Sequence, residues 1–411
     1  MRLRRIAAEY QIAFVGSIWT LHWVFVTLFS ALAMHYAYSQ PVVKAVGYSL
    51  PPLDGWQGYV IQPMRNWDGF WYSLIAEQGY DYHPATTAFW PLYPWTMKLV
   101  SNLLVIRPEV AGYFLANLAF LVALVFFHRL VAREWGDGVA RRATVLLAFF
   151  PTAFYFNAVY SESFFLLFTV LAFYWAKGGR WWLAALAAVL AGMTRNLGVM
   201  LAVPLAIIFI KQHWPVLRWH WEKPTRWPTD MLALALIPLG PALYLLYLWI
   251  DFGDPLLTLE AQKGWARQQG TPWTAFTMAF EQLRLGWLAR LLESPTWETL
   301  TSFEVRNSFA EFESLDVIFA FLWIGMLAYS IRRLPFEYWA YSLVLFVLPL
   351  FSPSTIHPLM SVPRFLVVLF PLFIGLALLT RRRWLFPVVL IPSATVMALL
   401  IIQFSTWFWV S

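Results

Sequence analysis

Apolar runs, most of them long enough to thread a bilayer, follow one another along this chain with short polar or basic breaks between them. Roughly 20 apolar residues cross the hydrocarbon core as a helix. Backbone groups in lipid must bond within their own segment, so spans of this kind are helices rather than open sheet. The pattern predicts spans at 12–36, 110–130, 143–158, 162–177, 181–195, 197–211, 231–251, 315–331, 336–352, 364–380 and 385–407. The expectation is one all-α polytopic membrane domain over residues 1–411, with about eleven transmembrane helices. Segment 89–106 is also apolar, but Pro91, Pro94 and Lys98 interrupt it.

The basic breaks set an orientation. If 89–106 does not cross, Arg2/Arg4/Arg5, Arg129/Arg133/Arg141/Arg142, Lys177/Arg180, Lys211/Arg218/Lys223/Arg226, Arg332/Arg333 and Arg381/Arg382/Arg383 share one side. Those are most of the 29 lysines and arginines. The acids on that side are Glu9, Glu134, Asp137, Glu222, Asp230 and Glu337. If 89–106 did cross, every later cluster would fall outside. The positive-inside rule therefore makes 89–106 re-entrant or interfacial, with the N-terminus cytoplasmic.

Two long segments, 37–109 and 252–314, then lie on the outer face. In the second, Phe276, Phe280, Leu283, Trp287 and Leu291 recur at helical spacing with Glu281, Arg284 and Arg290 between them. That reads as a helix on the membrane surface. Ser294-Pro295 has the form of an N-cap and first-turn proline of a further helix.

Composition agrees with a membrane protein. The 411 residues are 60% hydrophobic and 12% charged, with mean hydropathy +0.60, where soluble domains are about a quarter charged. The net charge of +7 does not point to nucleic acid, because the basic residues cluster at span ends as topology signals do. There is no cysteine, hence no disulfide or thiolate metal site. No N-linked sequon is present, Asn307-Ser308-Phe309 being the nearest miss. Both absences fit a bacterial plasma membrane. Met1-Arg2-Leu3-Arg4-Arg5 resembles a signal-peptide start, but the apolar stretch after it is long and no small-residue cleavage site follows, so a retained anchor is expected.

Candidate chemistry gathers at the outer ends of the spans. Arg65-Asn66-Trp67-Asp68-Gly69-Phe70-Trp71-Tyr72 places one carboxylate among large rings. Asp68 reads two ways. It can cap the helix that opens with Phe70, Trp71, Leu74 and Ile75 and that Gly79 can end. It can also be a general base, presented to solvent at that helix start, with Gly69 permitting close ligand approach. Glu162 in Tyr160-Ser161-Glu162-Ser163, Arg195 in Thr194-Arg195-Asn196 and Arg364 in Pro363-Arg364-Phe365 are charges at span ends. Such charges must be paired or hydrated, and they mark functional sites or snorkelling side chains. Glu162 and Arg195 could simply pair with each other. Lys263 and Arg267 flank Trp265 four residues apart, on one helical face, where they could hold a lipid phosphate or form a solvated basic face. His357, in a short outer loop, could join Arg364 on the same phosphate. No His/Asp/Glu set has metal-ligand spacing, so a divalent metal is possible but unsupported. GxGxxG and Walker loops are absent from the sequence, which argues against a nucleotide donor or an ATP-driven pump.

These residues resemble the GT-C class of polytopic glycosyltransferases, and most of all its PIG-V branch, which includes GPI mannosyltransferase II and its bacterial relatives. The resemblance spans nearly the whole chain. It is carried by Asn66 to Tyr72, Ile75 to Tyr80, Ala88-Phe89-Trp90-Pro91-Leu92-Tyr93-Pro94, Phe150-Pro151 through Tyr160-Ser161-Glu162-Ser163, Thr194-Arg195, and Pro363-Arg364-Phe365 through Pro371. It implies an inverting transfer of a sugar, most often mannose, from a polyprenyl-phosphate-linked donor to a glycolipid or glycan acceptor at the non-cytoplasmic face. Asp68 would be the base. Arg195, Arg364, Lys263, Arg267 and His357 would hold the donor phosphate. Trp67, Trp71, Tyr72, Trp90, Tyr160, Glu162 and Trp265 would contact sugar or acceptor. The chain departs from some GT-C enzymes in having a single Asp in this loop rather than an adjacent acidic pair. The rival readings are a lipid or sugar transporter or flippase, which would need a polar path through the bilayer centre, and a GT-C transferase with another sugar or a protein acceptor.

Overall fold

The computed structural model describes residues 2–36, 48–222, 229–283, 292–294, 296, 298 and 314–410, without the side chains of 2–8 and 215–222. The expected surface helix ends at Gln282, with Leu283 already extended, and Trp287, Leu291, Pro295, Lys223 and Arg226 lie outside the described residues.

Among the described residues the regular structure is helix, with an isolated antiparallel bridge between Arg267 and Ser354. In chain order the helices are α1 (Arg2–Tyr36), α2 (Trp56–Val60), α3 (Asp68–Gln78), α4 (Leu92–Leu104), α5 (Pro108–Trp135) and α6 (Asp137–Ala148). Next come α7 (Glu162–Lys177), α8 (Trp181–Thr194), α9 (Ala202–Glu222), α10 (Met231–Leu234), α11 (Leu239–Phe252), α12 (Leu257–Ala261) and α13 (Pro272–Gln282). The last are α14 (Ser314–Ser330), α15 (Phe336–Val347), α16 (Val362–Val367), α17 (Pro371–Leu379) and α18 (Leu385–Ser405).

Four of these segments are long and apolar enough to cross a membrane: Glu9–Tyr36, α5, Asn196–Trp214 and α18. A pair bent by 91°, α11 with Leu257–Trp265, would make a fifth. The expected eleven spans do not emerge from helix length. Several runs are short helices: α6, α7 and α8 have 12, 16 and 14 residues, or roughly 18–24 Å at 1.5 Å per residue. The expected span 143–158 is two pieces, because α6 stops at Ala148 and a 3₁₀ turn at Ala153–Phe156 follows Pro151. The segment 89–106 forms the 13-residue α4, which packs against α3 and α5.

The core follows α5 and α7. α5 packs against α1, α4, α6 and α7, and α7 continues the contact to α8 and α9. α1 and α18 lie against each other and leave most of their apolar windows uncovered by protein. α8 is rich in alanine, and small residues let backbones approach closely. A Cβ on Gly240 of α11 would fall 2.4 Å from the Val189 carbonyl oxygen of α8, so this crossing needs glycine.

Charges are buried at both ends of α7. At its end, Lys177 Nζ lies 2.6 Å from Glu337, which also takes Lys211 at 2.5 Å, and Tyr338 donates to Glu134 at 2.8 Å. Its first residue is Glu162, which belongs to the group described next.

Candidate active site

α3 begins at Asp68 because Trp67, at its N-cap position, turns the chain with φ 58°. That left-handed backbone is unusual for a bulky residue and stores strain. Asp68 makes no side-chain cap. The cap reading is therefore overturned: the carboxylate points away from its own helix and meets Arg364 instead. Gly79 does close the helix, with φ 87° and its N–H on the Ile75 carbonyl.

The loop before α3 is held from several sides. Buried Arg65 donates to Glu109 at 2.6 Å and to the Pro51 carbonyl at 2.9 Å. The Asn66 side chain donates to the Phe404 carbonyl at 3.0 Å. The Tyr160 hydroxyl donates to the Asn66 carbonyl and accepts from the Asp68 N–H, both at 3.0 Å. Gly69 is buried with its Cα face toward Val159, Met64 and Tyr160, so its close approach is to protein rather than to a ligand, contrary to expectation. The turn that carries Tyr160 is tied to α1, where His22 bonds Asn157 at 3.0 Å and the Ala148 carbonyl at 2.6 Å.

Four charges then form a chain. Arg364 Nη1 donates to Asp68 Oδ2 at 2.5 Å. Arg364 Nε lies 3.0 Å from Glu162 Oε1, and Arg195 Nη2 lies 3.1 Å from the same oxygen. Glu162 is fully buried, and the two arginines and Asp68 are each about an eighth exposed. Glu162 and Arg195 thus pair, one of the two readings of these residues. Asp68 Oδ1 has no protein hydrogen bond among the described residues. Arg364 also lies over the Tyr160 and Tyr155 rings, and Arg195 over Phe365.

Arg267 is the third cation. It donates to the Ser352 carbonyl at 3.0 Å. Burial, and then the nearby charge of Arg364, push its guanidinium down to about 10, with Asp68 acting in the opposite direction. It stays charged at neutral pH with no carboxylate bonded to it among the described residues. With Arg267 counted, three guanidiniums stand against two carboxylates, one positive charge in excess.

Lys263 does not share this place. The expected common helical face is broken, because the 3₁₀ turn Gln262–Trp265 ends at Ala266, whose φ of 53° is left-handed. Lys263 is exposed, 3.9 Å from Glu260, while Arg267 turns inward to the bridge with Ser354. His357 stacks on Trp409 with centroids 6.1 Å apart.

The aromatic residues divide. Trp71 stacks on Phe89 at 5.8 Å, and Trp265 meets both edge-on, at 6.0 Å from Trp71 and 5.7 Å from Phe89. Trp67 faces Trp409 at 5.0 Å and Trp407 at 5.8 Å. Tyr72 and Trp90 were expected to stack on sugar and are core instead. Tyr72 is buried with its hydroxyl 2.8 Å from Ser161, and Trp90 is buried against Tyr244 at 5.0 Å. Both lost that role because tertiary packing, not residue type, decides which face of a ring is open. Trp407 and Trp409 were missed. The sequence carried no signal for them, since Trp407-Phe408-Trp409-Val410 is apolar throughout and only burial separates its faces, with Phe408 and Val410 buried and the tryptophans partly open.

No group of three or more His, Asp or Glu side chains among the described residues is arranged to hold a metal ion. The carboxylates of the charge chain, Asp68 and Glu162, are both engaged by arginine.

Solved structures to which the chain shows similarity include the oligosaccharyltransferase AglB from Archaeoglobus fulgidus in complex with an inhibitory peptide and a dolichol-phosphate. It aligns at TM-score 0.45 and 15% identity, over 97% of this chain and 56% of that one. ArnT from Cupriavidus metallidurans bound to undecaprenyl phosphate aligns at TM-score 0.45 and 13% identity, over 97% and 76%. The chain spans little more than half the length of the archaeal oligosaccharyltransferase. No curated protein matches the chain in sequence at a significant level. The family model for the mannosyltransferase PIG-V matches residues 11–218. That match covers half of the chain, and this integral membrane protein belongs to the PIG-V mannosyltransferase family.

Proposed function

We propose that the protein is an inverting glycosyltransferase of the outer membrane face. It takes a sugar, mannose by family membership, from a polyprenyl-phosphate carrier and passes it to a hydroxyl of a glycolipid or glycan. The observation that carries this reading is the charge chain. Among the described residues Asp68 keeps one oxygen without a hydrogen bond, Arg364 links it to Glu162 and Arg195, and Arg267 has no carboxylate bonded to it.

In the proposed reaction the acceptor hydroxyl gives its proton to Asp68 Oδ1. Its oxygen forms a bond to the anomeric carbon as the bond from that carbon to the phosphate oxygen breaks. The phosphate leaves with the electron pair, and its charge is met by Arg364, Arg195 and Arg267. Trp71 and Trp265, both partly open, offer the donor sugar a ring platform next to the Arg267 turn, with Phe89 buried behind them.

The test is transfer from radiolabelled polyprenyl-phosphate-mannose by purified protein in nanodiscs, with Asp68→Asn alongside. Transfer by the wild type and its loss in a variant that still binds donor supports the reading. Full activity of Asp68→Asn would sink the assignment of the base.

A further inference from the structure

We infer that Trp67, Trp407, Trp409 and His357 build a second carbohydrate subsite, the one that seats the acceptor sugar. This rests on the reading of Asp68 as the base and adds which side of it the acceptor enters.

Trp67 immediately precedes Asp68, and among the described residues its ring makes no contact with the Trp71 platform. Its ring partners are Trp409 at 5.0 Å, nearly perpendicular, and Trp407 at 5.8 Å. His357 lies almost parallel to Trp409. Trp71 has Phe70, His83, Phe89 and Trp265 as ring partners. Among the described residues the Trp67 and Trp71 groups share no ring contact, so two separate aromatic groups adjoin one carboxylate. Displacement with inversion needs the incoming hydroxyl and the departing phosphate on opposite sides of the anomeric carbon. The cation Arg267 is two residues from Trp265, which assigns the Trp71 group to the donor. The Trp67 group is left for the acceptor.

The build of this second group suits a sugar. The segment after α18 is pinned by its buried members: the Tyr155 hydroxyl donates to the Val410 carbonyl at 2.7 Å, and the Phe408 N–H to the Gln403 carbonyl at 3.0 Å. That leaves Trp407 and Trp409 on the other face as half-open rings on a backbone held in place. Two residues here, Trp67 and Trp407, hold φ near +60°, a strain that clusters at binding sites. Among the described residues the indole N–H groups of Trp67 and Trp409 have no acceptor, and a buried donor of this kind calls for an explanation. Both are closed off from solvent, so a hydroxyl reaches them as the rings part. A pyranoside supplies an apolar face for the rings and hydroxyl oxygens for the two N–H groups.

The experiment uses the full chain in nanodiscs and methyl α-D-mannopyranoside as probe, read by saturation-transfer NMR. Polyprenyl phosphate binding and mannosyl transfer are measured on the same samples. Trp409→Leu and Trp407→Leu are expected to weaken probe binding at least about tenfold, with polyprenyl phosphate affinity unchanged within about twofold. Trp409→Tyr, which keeps a ring and a donor, should recover most of the probe signal, which a merely structural role would not produce. Trp71→Leu should leave the probe bound. Unchanged probe binding in both tryptophan variants overturns the subsite while leaving the transferase reading intact. So does a wild type that binds donor and transfers sugar but shows no probe signal. A wild type that neither binds polyprenyl phosphate nor transfers sugar removes the transferase reading, and the subsite falls with it.

Discussion

Arg364 holds Asp68 across 296 residues of chain, with Nη1 2.5 Å from Oδ2, while its Nε lies 3.0 Å from Glu162. One guanidinium thus fixes the proposed base and joins it to the buried end of α7. Thr152 anchors this arginine's own turn by donating to the Pro363 carbonyl at 2.8 Å. The acid is set by contacts from three distant parts of the sequence rather than by its own helix.

Removal of the Asp68 charge should stop chemistry and spare the fold. Asp68→Asn keeps an acceptor for Arg364 but takes no proton at working pH. Turnover is expected to fall by about 10²–10⁴, the usual contribution of a positioned base. Transfer kinetics and donor titration on the same preparation check this. Loss of donor binding in step with turnover would assign Asp68 to binding instead.

Glu162 should matter to stability before it matters to rate. It is fully buried between two arginines, and removing one partner of a buried pair costs about 3–5 kcal/mol. Glu162→Gln should therefore lower the thermal midpoint markedly. The double variant Glu162→Gln/Arg195→Met should lose less than the two single losses added together, because it removes charge in pairs. A strictly additive cycle by thermal unfolding would show that the pairing carries no coupling.

Arg267 and Lys263 should behave differently despite lying four residues apart. Arg267→Ala is expected to weaken polyprenyl phosphate binding by roughly ten- to a hundredfold, the loss of a charge-assisted bond worth about 1.5–3 kcal/mol. Lys263→Ala, at an exposed side chain, should change it by less than about twofold. Titration at two salt concentrations reads both. An equal effect of the two substitutions would place the phosphate elsewhere.

The α8–α11 crossing should reject a single methyl group. Gly240→Ala puts a carbon against the Val189 carbonyl, whereas Gly325→Ala on α14 meets nothing within 4 Å. The first should destabilise by about 1–3 kcal/mol through overpacking, and the second should be neutral or better. Thermal unfolding in one detergent compares them. Equal midpoints would mean that the helices shift apart without cost.

The positive φ at Trp67 and at Ala266 explains two errors of sequence reading. Helical spacing places residues on a shared face only while the helix continues. Lys263 and Arg267 straddle the residue where it stops, and Asp68 sits just after one where it starts at an unusual angle. Neither break is marked by glycine or proline, so neither is legible in advance. Trp90 shows the related limit: its aromatic character was plain, but its neighbour Tyr244 lies far along the chain.

By itself the sequence determined that this is a helical membrane protein. Lipid leaves unpaired backbone groups no partner, so repeated apolar runs with basic breaks between them fold as helices. It also singled out Asp68, Glu162, Arg195 and Arg364, since a charge at the end of an apolar run requires a reason wherever it folds. Only the tertiary structure decided how these four meet, that Arg267 turns inward without Lys263, and that tryptophans after the last helix pack on Trp67, the residue before the acid. Apolar periodicity records how each segment faces its own surroundings. Which distant segments meet depends on helix lengths, crossings and the few left-handed joints between them, and no local pattern encodes those.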